Sequence, residues 1–194
     1  MNDTRGLGIE LARILVTYGT KHGSTAEIAT RIGQRITAAG FDTDTLQANL
    51  GIDITKYDAL VVGSPIYAGQ WLPEPTLLFA VHRERASDIP TALFSVGMID
   101  VKHSGKLREE HDAWIEKAFN QEDIQLNIVS TGTFQGAYSR SNLPTWMRIV
   151  DSIIRIAPQG DHRQWDEIER WGDEVAIILR HLLEPKSANE TECS

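Results

Sequence analysis

The chain has 194 residues, of which 41% are hydrophobic, and this is enough for one domain with a substantial core and rather few for two. Its formal net charge of -8 argues against nucleic acid as a main partner, because binding a phosphate backbone requires a basic surface. The single cysteine, Cys193, excludes a disulfide framework and a cysteine-based zinc cluster, so we expect no metal site and a reducing compartment.

The two ends of the chain are polar. We expect residues 1–10 to be an N-terminal extension, residues 11–183 to form the domain and residues 184–194 to be a disordered tail. The first segment lacks the apolar centre of a signal peptide, and no apolar run approaches the roughly 20 residues of a membrane-spanning helix. The sequence therefore predicts a cytoplasmic protein.

Short apolar runs alternate with amphipathic stretches along the chain. The predicted strands are residues 12–18, 41–47, 59–63, 91–96 and 125–131, and the predicted helices are residues 25–39, 74–85, 105–120, 143–156 and 164–183. The last helix is expected to bury Trp165, Ile168, Trp171, Val175, Ile178 and Leu182. Four of the five strands are too apolar to have a solvated face, which indicates helices on both sides of the sheet. The fold class predicted is α/β, a five-stranded parallel doubly wound sheet.

Sheets of this kind bind ligands beyond the carboxyl ends of their strands, and the first such turn is rich in hydroxyl groups. Its residues are Thr20, Lys21, His22, Gly23, Ser24 and Thr25. A helix N-terminus leaves backbone N–H groups unpaired and carries partial positive charge, so an anion is its natural occupant. One hydroxyl would suffice to cap the helix, whereas three hydroxyls and a glycine favour an anion site. The glycine spacing argues against a Walker loop and a dinucleotide fingerprint, which leaves a monophosphate.

This turn resembles the flavodoxin phosphate-binding signature. The matching residues are Tyr18, Thr20, Gly23, Thr25, Ala29 and Ile32. Thr17 stands where the signature prefers an apolar residue. The resemblance implies a flavodoxin-like fold and FMN as the cofactor, with its 5'-phosphate on residues 20–25.

The loop after the third predicted strand, GSPIYAGQW at residues 63–71, places two aromatic residues and two glycines where the resemblance puts the isoalloxazine ring. Flat rings bind well against Tyr and Trp, and the main chain near Gly69 would meet flavin N5. The alternative is a surface turn with an incidental tyrosine. The end of the fourth strand is expected to close over the other edge of the ring. The cofactor-binding residues expected in these two loops are Ser64, Pro65, Ile66, Tyr67, Ala68, Gly69, Trp71, Ser95, Val96, Gly97 and Met98.

Long connections at residues 97–110 and 132–158 extend the chain beyond a short flavodoxin, and long loops in a compact domain are usually functional or disordered. The whole arrangement is similar to the flavodoxin-type, menaquinone-dependent protoporphyrinogen IX dehydrogenases. The matching segments are STAEIA, GSPIYAG, ALFSVGM, GTFQGAYSR and DHRQWDEIERWGDEVA. This resemblance implies electron transfer from a reduced tetrapyrrole through FMN to a membrane quinone.

Several alternatives stay open. They are an NAD(P)H:quinone reductase, an electron carrier that docks a redox protein, and a domain without flavin. The connection after the fourth strand balances basic with acidic residues, which disfavours a propionate substrate and an anionic membrane. The amphipathic stretch 143–156 fits a helix packed on the sheet, a homodimer face or a peripheral contact with the inner face of the membrane. No catalytic residue follows from the sequence, because a flavin carries the redox chemistry.

Overall fold

The computed structural model describes residues 11–67, 69–97, 113–115, 117–119, 124–138 and 160–183. The expected N-terminal extension, the polar tail and the amphipathic stretch 143–156 lie outside these residues, as do Ala68 and Met98. Of the predicted 105–120 helix, the described residues 113–115 and 117–119 are helical. They are called the 113–119 segment below.

A five-stranded parallel sheet forms the centre of the domain. Its strands are β1 (Arg13–Tyr18), β2 (Asp42–Gln47), β3 (Ala59–Pro65), β4 (Pro90–Gly97) and β5 (Asn127–Gln135). They lie in the order β2-β1-β3-β4-β5, and the four neighbouring pairs are parallel. Strand order reverses between β1 and β3, and the crevice at their carboxyl ends is where such sheets bind ligands. The predicted doubly wound sheet is confirmed.

Helices cover both faces of this sheet. They are α1 (Ser24–Ala38), α2 (Pro73–Val81), α3 (Arg83–Asp88) and α4 (Trp165–Leu183). The predicted 74–85 helix is two helices, because His82 adopts φ -113 and ψ 39, outside the helical region. An antiparallel pair, β6 (Ala137–Tyr138) and β7 (Gly160–Asp161), is not among the elements that the sequence predicts. None of the helices in the described ranges is long and apolar enough to cross a membrane.

Alternation along the strands divides the core into two apolar layers. Ile14 and Val16 of β1 pack with α1 and α4, whereas Leu15 points to the other face and packs with α2 and the 113–119 segment. The prediction that helices cover both faces of the sheet does not hold along the whole of the edge strand β5, because Ile128 is 44% exposed. The sheet therefore has a buried centre at β1, β3 and β4, and the turns at the carboxyl ends of these strands are held on a rigid base.

A polar cluster fastens the edge strand β2 to β1. Arg13 pairs with Asp42 and Asp44 at 3.2 Å each, and the Tyr57 hydroxyl donates to Asp44 Oδ2 at 2.8 Å. Tyr57 follows the short 3-10 helix Ile54–Lys56 and is buried. Burial, together with the hydrogen bond to Asp44, raises the pKa of Tyr57 to about 12.

We expect this tyrosine to make the free energy of unfolding fall as the pH rises from about 10 to about 12. An unfolded tyrosine ionises near pH 10, whereas folded Tyr57 keeps its proton, so the folded state binds more protons in this interval and loses stability. The loss is on the order of 2 kcal/mol and is absent below pH 10. Urea unfolding at stepped pH measures it, with Tyr57→Phe as the control that lacks the titrating group. Parallel pH profiles for the two proteins would contradict the assignment.

Candidate functional site

The turn between β1 and α1 is open and has backbone N–H groups that precede the hydrogen-bond ladder of the helix. Gly23 has φ +89, a left-handed conformation, and an added Cβ there would meet open space. Its N–H donates to Thr20 Oγ1 at 3.0 Å, and the Thr20 hydroxyl can still donate its own hydrogen. The helical bond from Glu27 N–H to Gly23 O spans 3.1 Å, so the amides of residues 24–26 precede the hydrogen-bond ladder of α1. A bound anion would satisfy these amides.

The side chains of Lys21 and His22 extend from this turn to Tyr67. Lys21 Nζ lies 4.5 Å from the centroid of the Tyr67 ring, and the His22 ring meets it edge-on with centroids 6.3 Å apart. The Tyr67 residue is 37% exposed, and burial of the remainder raises the pKa of its phenol. A neutral, partly exposed aromatic ring with positive charge beside it therefore borders the turn.

The segment that follows β3 forms a closed turn. Tyr67 and Gln70 exchange backbone hydrogen bonds of 2.9 and 3.0 Å, and Gly69 between them has φ +71. The Ile66 N–H donates to the Val96 carbonyl at 2.8 Å, which attaches the turn to the end of β4. The structure thus brings the two expected loops together at one edge of the sheet.

Trp71 is directed into the core. It is 7% exposed, its Nε1–H donates to Ser95 Oγ at 2.8 Å, and its ring packs edge-on against Phe119. The Leu72 N–H donates to Ser64 Oγ at 2.8 Å. The hydroxyls of Ser64 and Ser95 therefore hold the turn on the sheet. Of the two aromatic residues expected to face a flat ligand, Tyr67 is the exposed one.

The ends of the other strands complete this edge. Pro65 and Val96 are buried, and the Gly97 carbonyl accepts the Gly136 N–H at 3.0 Å. A Cβ added to Gly136 would lie 3.5 Å from Ser24 Oγ, so the residue after β5 lies beside the first turn. Sequence analysis missed Gly136. A glycine directly after a strand is the signal that could have identified it.

Arg163 is a second residue that sequence analysis missed. Its side chain is 9% exposed and pairs with Glu27 and Asp161 at 2.6 Å each, and its guanidinium carbon lies 4.6 Å from the centroid of Trp165. Arg163 also holds the pKa of Asp161 below its usual range. Because Glu27 is in the first turn of α1, this cluster connects β7 to the start of that helix. No local pattern indicates the pairing, since 136 positions separate the partners.

Gly63 and Thr17 serve packing at this edge. A Cβ added to Gly63 would lie 2.0 Å from Phe94 Cζ, so this glycine makes room for the Phe94 ring. Its carbonyl accepts the Gly19 N–H at 2.9 Å. Thr17 is fully buried, and within the described part of the chain its hydroxyl has no hydrogen-bond partner. Burial explains why an apolar residue is preferred at that position.

Comparison with known proteins gives one family match. A family model described as a flavodoxin domain matches residues 15–163. No curated protein matches the chain.

Solved structures show the same fold at low sequence identity. A short-chain flavodoxin associated with a non-canonical PDU bacterial microcompartment is 16% identical, with a TM-score of 0.54, over 89% of this chain and 99% of that one. Two-electron reduced Megasphaera elsdenii flavodoxin is 16% identical, with a TM-score of 0.51, over 84% and 98%. Rubredoxin oxygen:oxidoreductase from Desulfovibrio gigas is 12% identical, with a TM-score of 0.53, over 89% of this chain and 37% of that one.

Proposed function

The chain belongs to the flavodoxin domain family, and from this membership we propose that it is an FMN-dependent oxidoreductase that takes electrons from a reduced small molecule and passes them to a quinone. It is a redox flavoprotein with FMN as its cofactor. The chemistry that bound FMN supplies is reversible uptake of electrons. The side chains of this protein bind the cofactor and adjust its surroundings.

The observation that carries this proposal is the open turn at Gly23, which fits the phosphate of FMN. The amides of residues 24–26 and the hydroxyls of Thr20, Ser24 and Thr25 would hold that phosphate. Hydrogen bonds to a charged group contribute roughly 1.5 to 3 kcal/mol each, so a few of them outweigh the general repulsion from a chain of net charge -8. An anion is thus bound by local donors in an acidic protein.

Tyr67 is the residue that we assign to the flat ring of the cofactor. It is exposed at the edge where the phosphate turn and the turn after β3 meet, and an aromatic face suits a planar ligand. Lys21 and His22 add donors and positive charge beside it. Trp71 holds the turn that carries Tyr67 on the sheet, through its hydrogen bond to Ser95.

An enzyme is favoured over a carrier because the chain has more than the carrier fold needs. The two flavodoxin structures are covered over 98–99% of their length, whereas 84–89% of this chain is matched. The described part of the long connection between β4 and β5 packs on the turn after β3, where Phe119 meets Trp71. The second candidate is a flavodoxin-type electron carrier, supported by the family and by the names of these two structures.

Anaerobic reduction of the FMN-loaded protein separates the candidates. We expect a reduced small molecule alone to bleach the flavin absorbance, and a quinone to restore it. Protoporphyrinogen IX is the first donor to add, because the resemblance of the sequence implies it, and NAD(P)H is the second. Bleaching only after addition of a reductase protein would overturn the enzyme proposal in favour of the carrier. A folded protein that takes up no FMN would overturn both.

A further inference from the structure

A cavity lies beside the turn after β3, and the phosphate turn does not contribute to it. It encloses about 290 Å³. Its walls are residues 69–71 of the turn, Pro73 and Leu77 of α2, and Trp114, Lys117 and Ala118 of the 113–119 segment. This volume is near the lower end of the range for small-molecule sites, roughly 300 to 1,000 Å³, and equals about ten water molecules at roughly 30 Å³ each. One or two fused rings fit it, and a tetrapyrrole does not.

The walls of this cavity suit an aromatic body. Trp71 and Trp114 line it, and Leu77, which is 40% exposed, extends the apolar wall to the surface. Trp71 is 7% exposed and its indole N–H donates to Ser95 Oγ, so the partly exposed Trp114 offers the aromatic surface. A Cβ atom added to Gly69 would lie 3.4 Å from Trp114 Nε1, so the 113–119 segment packs closely on this turn. Flat rings pack favourably against such surfaces.

Lys117 gives the described lining of the cavity a positive charge. It lines the cavity and is exposed to solvent. Among the described residues that line the cavity, none is acidic, although the chain has 27 acidic and 19 basic residues. The Thr76 hydroxyl donates to the Pro73 carbonyl at 2.9 Å and can only accept a further bond. Gln70 adds an amide and Trp114 an indole N–H that can donate, and these two groups together with Lys117 suit an anionic oxygen.

We propose that this cavity binds a small planar aromatic carboxylate, with its fused rings against Trp114 and its carboxylate at Lys117. The site is separate from that of FMN. Tyr67, which contacts Lys21 and His22 of the phosphate turn, is not among the residues that line it. The two sites adjoin at the turn after β3, because Gly69 and Trp71, which are expected near the cofactor, also line the cavity. Residues 20–25 are not part of its lining, so binding in the cavity does not require the cofactor.

Titration calorimetry with naphthalene-2-carboxylate tests the proposal. Saturable binding is expected at one site per chain, with an affinity that changes less than about twofold when FMN is also present. Lys117→Gln should weaken binding of the carboxylate about fivefold, because a partly exposed ion pair of about 1 kcal/mol is lost, and should leave binding of the neutral naphthalene-2-carboxamide unchanged. Ala118→Leu, which fills the cavity, should abolish binding of both compounds.

Lys56→Gln is the matched control, because Lys56 is an exposed lysine that pairs with Asp53 and is not among the residues that line the cavity. It removes the same charge and should change neither affinity. Absence of saturable binding to the folded wild type, competition by FMN, or equal loss with Lys117→Gln and Lys56→Gln would overturn the proposal. FMN affinity is measured separately, so a chain that binds the naphthoate and no FMN refutes the proposed function and supports the cavity assignment.

Discussion

Replacing Gly63 by alanine is expected to lower the free energy of unfolding by about 3 kcal/mol or more. The new Cβ would lie 2.0 Å from Phe94 Cζ and 2.4 Å from the two Cε atoms. The Phe94 ring cannot withdraw, because it is fully buried with Phe134 at 6.2 Å and Trp171 at 5.9 Å between ring centroids. Since a domain is stable by only about 5–15 kcal/mol, chemical denaturation should show this loss clearly.

Two further variants test whether contact with the Phe94 ring causes this loss of stability. Replacing Phe94 by the smaller leucine in the double variant Gly63→Ala, Phe94→Leu should relieve the clash. The double variant should then lose at least about 1 kcal/mol less free energy of unfolding than the sum of the two single changes. Gly51→Ala, at an exposed glycine, is the matched control and should change stability by less than about 0.5 kcal/mol. Additive effects in the double variant would contradict the packing explanation.

Replacing Thr20 by valine is expected to weaken FMN binding by about 10- to 100-fold and to leave riboflavin binding nearly unchanged. The hydroxyl accepts the Gly23 N–H at 3.0 Å and can donate to a phosphate, which riboflavin lacks. Loss of one hydrogen bond to a charged group costs about 1.5 to 3 kcal/mol, which corresponds to this range of affinity. Quenching of flavin fluorescence measures both affinities.

Thr30→Val is the matched control for this measurement. Thr30 is also in α1, but it is exposed and its hydroxyl donates to the Ala26 carbonyl at 2.8 Å. The same chemical change at this position should leave FMN affinity unaltered. Equal losses for FMN and riboflavin in Thr20→Val would show that the turn supports the fold without binding the phosphate.

Much of this fold follows from local pattern. All five strands of the sheet are predicted, four of them from apolar runs, because strands covered on both faces have few polar residues. The same reasoning predicts burial incorrectly where neighbouring elements cover only part of a strand or helix. The predicted stripe of α4 is correct at Trp171 and Val175 but wrong at Leu182, which is 51% exposed, whereas Leu179 is fully buried. Periodicity gives the apolar face of a helix, and neighbours decide how much of it is covered.

The candidate site was predictable where one continuous segment forms it. Hydroxyls and a glycine at a strand-to-helix turn indicate the anion site without any distant partner. Trp71 was misleading, because a tryptophan in a loop gives no sign of whether it faces a ligand or a buried hydroxyl such as that of Ser95. Gly136 and Arg163 lie near the turn between β1 and α1 because of the order of the strands and the position of β7. Local sequence patterns do not reveal either of these.

The most direct test of the central claim compares FMN with riboflavin on the wild-type protein. If the amides of residues 24–26 and their neighbouring hydroxyls bind the phosphate, FMN should bind at least about 100-fold more tightly, the equivalent of about two hydrogen bonds to a charged group. The measurement is a pair of fluorescence titrations at the same salt concentration. Equal affinities for the two flavins, or no affinity of the folded protein for either, would contradict the assignment of this turn.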